Sequence, residues 1–295
     1  MARRNALPYL LASMAIILWG ATPAATYIAV GSIDAITVGL IRTITAAAIL
    51  FPIALLLRLP TPTDRRCWID VFLSALTGFV GYTLLYTLGQ KFTSTSHAAL
   101  ILASAPIFTG FIGSIVERKW LPRNWCIGAS IALVGEGILI TFRTTEAMTA
   151  SLTGDLLVLA SVIFVSTSYV IGGRSSSRIG SWTTITWSLG LAGIMLAPVL
   201  LWRLSVIHFT PFRASMTSWI AVFYLVVFTS IIGWAAWYAA IGQAGVAHIA
   251  PIQFAQPIVS LIIALAIVGE TITLPILLSV FIILVGLAIT RMEKK

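Results

Sequence analysis

The stretch "SHAALILASAPIFTG" (Ser96–Gly110) returns in altered form as "AHIAPIQFAQPIVS" (Ala247–Ser260). In each, a histidine opens an apolar run and a proline follows nine residues later, His97 with Pro106 and His248 with Pro257. The match extends outward from there. "LGQKFTSTSH…AP…ERKW…IALVGEG" corresponds to "IGQAGVAH…QP…GETI…IILVGLA", which aligns Gln90 with Gln243, Glu117 with Glu270 and Gly135 with Gly286. Upstream, "LASMAIILW" (Leu11–Trp19) resembles "LASVIFVST" (Leu159–Thr167). Weak self-similarity in this fixed order marks a duplicated unit.

Composition decides the medium in which that unit folds. The chain has 295 residues, 59% hydrophobic and 9% charged, with mean hydropathy +1.03. Soluble domains carry about 25% charged residues, so this surface does not face water. Apolar runs of about 20 residues are long enough to cross a bilayer as helices. The net charge of +9 does not point to nucleic acid. Its basic residues sit in short loops rather than on one face between stacking aromatics. Cys67 and Cys126 lack metal-ligand spacing and read as bystander thiols. The first apolar run is too long for a cleaved signal peptide and reads as an uncleaved helix.

Punctuation by charge, Gly, Pro and Ser divides the chain into ten spans, near 8–30, 35–57, 68–90, 97–116, 122–142, 152–172, 181–202, 217–241, 247–268 and 272–291. Short connections make sequential helices antiparallel. With the N-terminus inside, inner loops hold 13 Lys and Arg and outer loops hold 4 (Lys91, Arg143, Arg203 and Arg213). The positive-inside rule therefore puts both termini in the cytoplasm. The duplicated unit has five helices, residues 1–146 and then 147–295. Five is odd, so the second copy enters the membrane from the opposite side. The expected fold is an all-α membrane protein, ten transmembrane helices as two inverted five-helix repeats around a central cavity. Such repeats are a transporter architecture with substrate bound near the midplane.

Along its whole length the sequence resembles the drug/metabolite transporter superfamily in its ten-helix EamA-like form, and most of all the YddG-type amino acid exporters. The resemblance is carried by Trp19-Gly20, Arg42, Pro106 with Glu117, and Pro257 with Gly269-Glu270, each of the last two pairs followed by a Gly-bearing helix. It departs where Val116-Glu117 stands for Gly-Glu and where Thr167-Ser168 stands for Trp-Gly. The resemblance implies export of amino acids, other small metabolites or drugs through a central cavity of the bacterial inner membrane, without ATP hydrolysis.

Candidate site residues follow from helical spacing. Tyr82, Tyr86 and Gln90 recur every fourth residue and share a face, as do Trp234 and Tyr238, with Trp237 beside them. Trp19 and Tyr169 are further aromatic candidates. Rings would take the apolar part of an amphipathic substrate while amide and hydroxyl groups, Gln253, Gln256 and Ser104, fix its orientation. A buried amide is costly unless paired, so the two glutamines are expected to face protein or a wet cavity. Tryptophans near span ends, Trp68, Trp120, Trp125, Trp182 and Trp219, fit an interfacial belt. His97 and His248 read either as gate residues or as neutral histidines satisfied at a helix start, and Pro106 and Pro257 as hinges or fixed kinks. Arg42 and Glu136 both lie about 10 Å deep, counted at about 1.5 Å per residue from the outer side. They are expected to form a structural ion pair, with a substrate-carboxylate role for Arg42 as the rival reading.

No P-loop, metal-ligand cluster or convergent nucleophile/base set occurs, so no cofactor, metal or catalytic residue is expected. The expected partners are a small-molecule substrate, an amino acid by preference, and membrane lipid. The expected activity is secondary transport by alternating access, with a channel-like or drug-efflux protein as the alternative.

Overall fold

A computed structural model of the chain describes residues 6–89, 92, 101–143, 151–207, 214–268, 273–290 and 292. Among these the helices form ten rods. They are α1 (Leu7–Val30, with a turn at Ala21), α2 (Ala35–Leu56), α3 (Arg65–Gly89), α4 (Ile101–Glu117, with a turn at Ser104) and α5 (Arg123–Arg143). Then come α6 (Leu152–Ile179), α7 (Ser181–Val206), α8 (Met216–Ala244), α9 (residues 246–268) and α10 (Leu274–Thr290). α1, α2, α3, α6, α7 and α8 are long and apolar enough to cross a membrane, while α4 and α10 are shorter apolar helices. Large side chains such as Leu56, Ile194 and Phe281 are exposed. Water would not tolerate so many, but lipid covers them without cost. The protein is a multi-pass all-α membrane protein.

Local chemistry sets the helix starts. Asp34, Asp64, Ser151 and Ser215 each accept a hydrogen bond from the backbone N–H three residues on, at 3.1, 2.6, 3.1 and 3.1 Å, opening α2, α3, α6 and α8. Gly180 and Gly245, at φ 86° and 81°, turn α6 into α7 and α8 into α9 with one residue each. Burial works to raise the Asp34 carboxyl, but hydrogen bonds from Thr37 and from the Arg203 guanidinium outweigh it and hold it below the usual carboxylate range.

Two rods are wound unevenly. α3 opens to a wider i→i+5 spiral over Ala75–Gly81, and α8 does so over Leu225–Gly233. α9 tightens instead, passing through a 3-10 segment, Ala250–Ala255, before resuming as Gln256–Val268.

Sequential rods run in opposite directions. α5 lies along α10, where Gly128 faces Gly286 and Thr290 while Gly135 faces Ile283. α2 lies along α7, α1 against α8 and α9, and α6 against α3 and α4. One face of the bundle, here the terminal face, carries both described chain ends together with the α2–α3, α4–α5, α6–α7 and α8–α9 turns. The opposite, distal face carries the α1–α2 turn and the start of α8, tied by Ser32 Oγ donating to Ser218 Oγ at 2.9 Å.

The terminal half of the bundle is densely filled. Tyr238, fully buried, exchanges hydrogen bonds with Ser74 (2.6 Å) and Ser168 (2.8 Å). Its ring rests on Gly172, where any Cβ would collide with it. Asp70, in the second turn of α3, is buried and held by Arg174, through Nε at 3.0 Å and through Nη2, with Arg178 Nη1 at 3.6 Å. The arginine side chains are about 40% exposed and Asp70 only 3%. Asp70→Ala leaves two solvated cations rather than a buried one, so the expected loss of stability is about 1–3 kcal/mol. Thermal denaturation in detergent checks it, and Asp70→Glu should recover part of the loss.

Trp120 and Trp182 are exposed at the terminal face, as an interfacial belt requires, but Trp125 is not part of such a belt. It is 3% exposed, fills the space above Gly110, and donates its indole N–H to the Ala247 carbonyl at 3.2 Å. Glu117 anchors a turn across the bundle, accepting from Val246 N–H at 3.0 Å at the start of α9. Its counterpart Glu270 lies outside the described residues.

Candidate functional site

The wide spiral of α8 positions the site. An i→i+5 spiral leaves backbone carbonyls free of the ordinary ladder. One of them, on Thr229, accepts the indole N–H of Trp19 at 3.1 Å. The next residue, Ser230, receives Nε of Arg42 at 2.8 Å. An aromatic side chain of α1 and a cation of α2 are thus tethered to consecutive residues of one turn. Gly233 lets the Trp19 indole come close, and Gly78 does the same for Trp234 and Ser168.

Around these tethers lies a cavity of about 390 Å³. Its lining combines Trp19, Tyr82, Val165, Tyr169 and Trp234 with Leu102, Ala103, Ala105 and Pro106 from α4. Polar residues complete it, Thr22, Arg42, Glu136, Gln253, Gln256 and Ser260, together with Pro257. The rings form a connected stack. Trp19 lies against Tyr169 with centroids 5.6 Å apart and planes 22° from parallel, and Trp234 sits 5.1 Å from Tyr169. Behind this floor, on the side of the terminal face, comes the buried layer of Trp237 and Tyr238.

Of the residues singled out from sequence, Trp19, Tyr82, Tyr169, Trp234, Gln253 and Gln256 line this one cavity, together with Pro106 and Pro257. Both prolines stand where a helix resumes after irregular backbone, at the Ser104 turn and after the 3-10 segment. Trp237 and Tyr238 do not reach the cavity. Their helix face is the expected one, but they lie about a turn deeper, below the floor. Tyr86 stacks on Tyr82 at 5.6 Å rather than joining the wall. Ser104 turns its hydroxyl onto the Ile101 carbonyl. His248 is exposed at the terminal face, beside a small pocket of about 110 Å³ with Glu117 and Lys119, away from the cavity. Gln90 and His97 lie outside the described residues.

The expected Arg42–Glu136 ion pair is not formed. Arg42 binds Ser230 instead, and Glu136 Oε2 has no hydrogen-bond partner among the described residues. The two side chains stand on helices with different neighbours. α2 packs against the wide spiral of α8, whereas α5 packs against α10 and the 3-10 segment of α9. Thr22, Val165 and Ser260 were missed. Thr22 had a signal, a hydroxyl in mid-span next to Pro23; Val165 had none.

Comparison with known proteins follows the same lines. The profile of the EamA-like transporter family matches residues 6–141 and again 152–292. The uncharacterized transporter YdeK of Bacillus subtilis is 26% identical over 260 residues, 86% of either chain. A protein of Salmonella typhimurium named "Probable amino-acid metabolite efflux pump" is 26% identical over 228 residues, covering 72% of this chain and 76% of its own. A solved crystal structure superposes with a TM-score of 0.79 over 96% of this chain and 97% of its own at 16% identity, a likeness of fold.

Proposed function

The chain belongs to the EamA-like transporter family, and from that premise we propose that it is a secondary transporter exporting amino acids, aromatic or otherwise neutral and apolar, across the bacterial inner membrane. The observation that carries the substrate class is the composition of the cavity wall, connected aromatic rings together with amide, hydroxyl and charged groups. An apolar side chain would lie on the rings while the substrate's polar backbone groups meet the polar residues. The name of the Salmonella relative supports the same class.

On this reading residues 1–146 and 147–295 are inverted repeats with both termini in the cytoplasm, and alternating access moves the substrate. The pattern of packing supports the repeats: α3 rests on α6 as α8 rests on α1, and α4 on α6 as α9 on α1. Wide spirals occur at matching places in α3 and α8. The filled terminal half below the cavity suits a carrier closed toward the cytoplasm.

Proteoliposomes loaded with unlabelled phenylalanine test the proposal. Counterflow of external labelled phenylalanine should saturate with concentration and exceed the uptake of unloaded vesicles. Non-saturating flux would favour a channel, and no flux of phenylalanine, leucine or glutamine would remove the amino acid assignment.

A further inference from the structure

Three buried polar atoms on the cavity wall have no hydrogen-bond partner among the described residues: Glu136 Oε2, Gln253 Oε1 and Thr22 Oγ1. Glu136 is 1% exposed and Gln253 9%. A buried carboxylate oxygen or amide carbonyl left unpaired costs about 1–3 kcal/mol or more, so native proteins rarely keep one without a use. Three around one cavity describe the ligand by what is missing.

Helix contacts divide the polar groups into two pairs. α5, which carries Glu136, packs against the 3-10 segment of α9, which carries Gln253. That side offers two acceptors, one of them a carboxylate without a cationic partner among the described residues. The second half of α1, which begins at Thr22, packs against α2, which carries Arg42. That side offers a hydroxyl and a guanidinium whose Nε is tied to Ser230. A carboxylate alone in the bundle is disfavoured unless the ligand brings the opposite charge.

We propose that the cavity is a two-pole site for a zwitterion, with the α-ammonium group held by Glu136 and Gln253 and the α-carboxylate by Arg42 and Thr22. Arg42 and Glu136 are the specificity-determining residues, and they attract the substrate rather than each other. The assignment rests on the amino acid reading above and adds to it which residue reads which end. It requires both charges on the ligand and so excludes plain amines and plain acids as good substrates.

The test uses purified protein in detergent and three probes: L-phenylalanine, L-phenylalaninamide, which lacks the carboxylate, and 3-phenylpropanoate, which lacks the ammonium group. Affinity is read from ligand-dependent thermal stabilisation. Wild type should prefer phenylalanine to either analogue by about tenfold or more. Glu136→Gln should erase the preference over phenylpropanoate and keep that over the amide, and Arg42→Gln should do the reverse. Glu136→Asp should restore part of what Glu136→Gln removes. Residual binding of the analogue each variant still accepts shows that the variant has folded. Variants that keep both preferences, or that lose both together, overturn the two-pole assignment. Counterflow of phenylalanine by wild type separates the outcomes. If flux is present but the crossed pattern is absent, only the poles fall; if no amino acid is bound or moved, the amino acid reading falls first.

Discussion

A single methyl group added at Gly286 will pry α10 from α5. A Cβ there would stand 2.5 Å from Ala132 N, 2.6 Å from Gly128 O and 2.9 Å from Ala132 Cα, all of them backbone atoms. Side chains relieve such overlaps by changing rotamer, but a helix backbone relieves them only by moving as a whole. Association of helices in lipid rests on close packing, because lipid tails are as apolar as the residues they would replace. Overpacking ordinarily costs about 1–3 kcal/mol, and Gly286→Ala should fall at or above the upper end. Gly286→Leu should leave no monodisperse protein after extraction. Gly190→Ala is the control. Its Cβ would meet only the Phe51 ring, at 3.5 and 3.9 Å, so stability should hold or rise by a few tenths of a kcal/mol. Equal melting temperatures for Gly286→Ala and Gly190→Ala would show that the α5–α10 contact does not bear on stability.

Trp19→Ala should abolish transport and strongly destabilise the protein. The indole is 6% exposed and packs against Tyr169, Trp234 and Trp237 with centroids 5.4 to 5.9 Å apart. Truncating a buried tryptophan to alanine costs about 3–5 kcal/mol, and here the hole opens directly beneath the cavity. Trp19→Phe separates packing from tethering. It keeps an aromatic surface but removes the N–H that meets the Thr229 carbonyl. Loss of that hydrogen bond should cost about 0.5–1.5 kcal/mol, and counterflow should fall while staying measurable. Transport by Trp19→Ala at the wild-type rate would exclude the aromatic floor from the site.

The sequence carried the spans well because a bilayer demands long uninterrupted apolar runs. α2, expected at 35–57, is Ala35–Leu56. It failed at α6, expected to stop near 172 but continuing to Ile179. "GGRSSSRI" has the composition of a loop. It stays helical because Gly172 and Gly173 admit Tyr238 and Ile241, and because Arg174 reaches Asp70. Those contacts join residues far apart in the chain, and no local pattern announces them. The cavity residues show the same division. Helical spacing put Trp234, Trp237 and Tyr238 on one side of α8, yet only packing decides where the floor lies and which of them stays above it. The depth of Arg42 and Glu136 was countable along the chain, but the partner that Arg42 takes is Ser230, 188 residues away.

An α-helix advances about 100° per residue, so the spare residue held in the α8 spiral sets the rotational phase of all that follows. With Leu225–Gly233 at ordinary pitch, the segment from Trp234 onward would be turned by about one residue's angle relative to Met216–Tyr224. Trp234 would leave the floor, and Tyr238 would swing away from Ser74 and Ser168. Thr229 and Ser230 would carry the anchor points of Trp19 and Arg42 with them. The aim of three helices is therefore stored in the length of one coil, as a lens is focused by the turn of its thread.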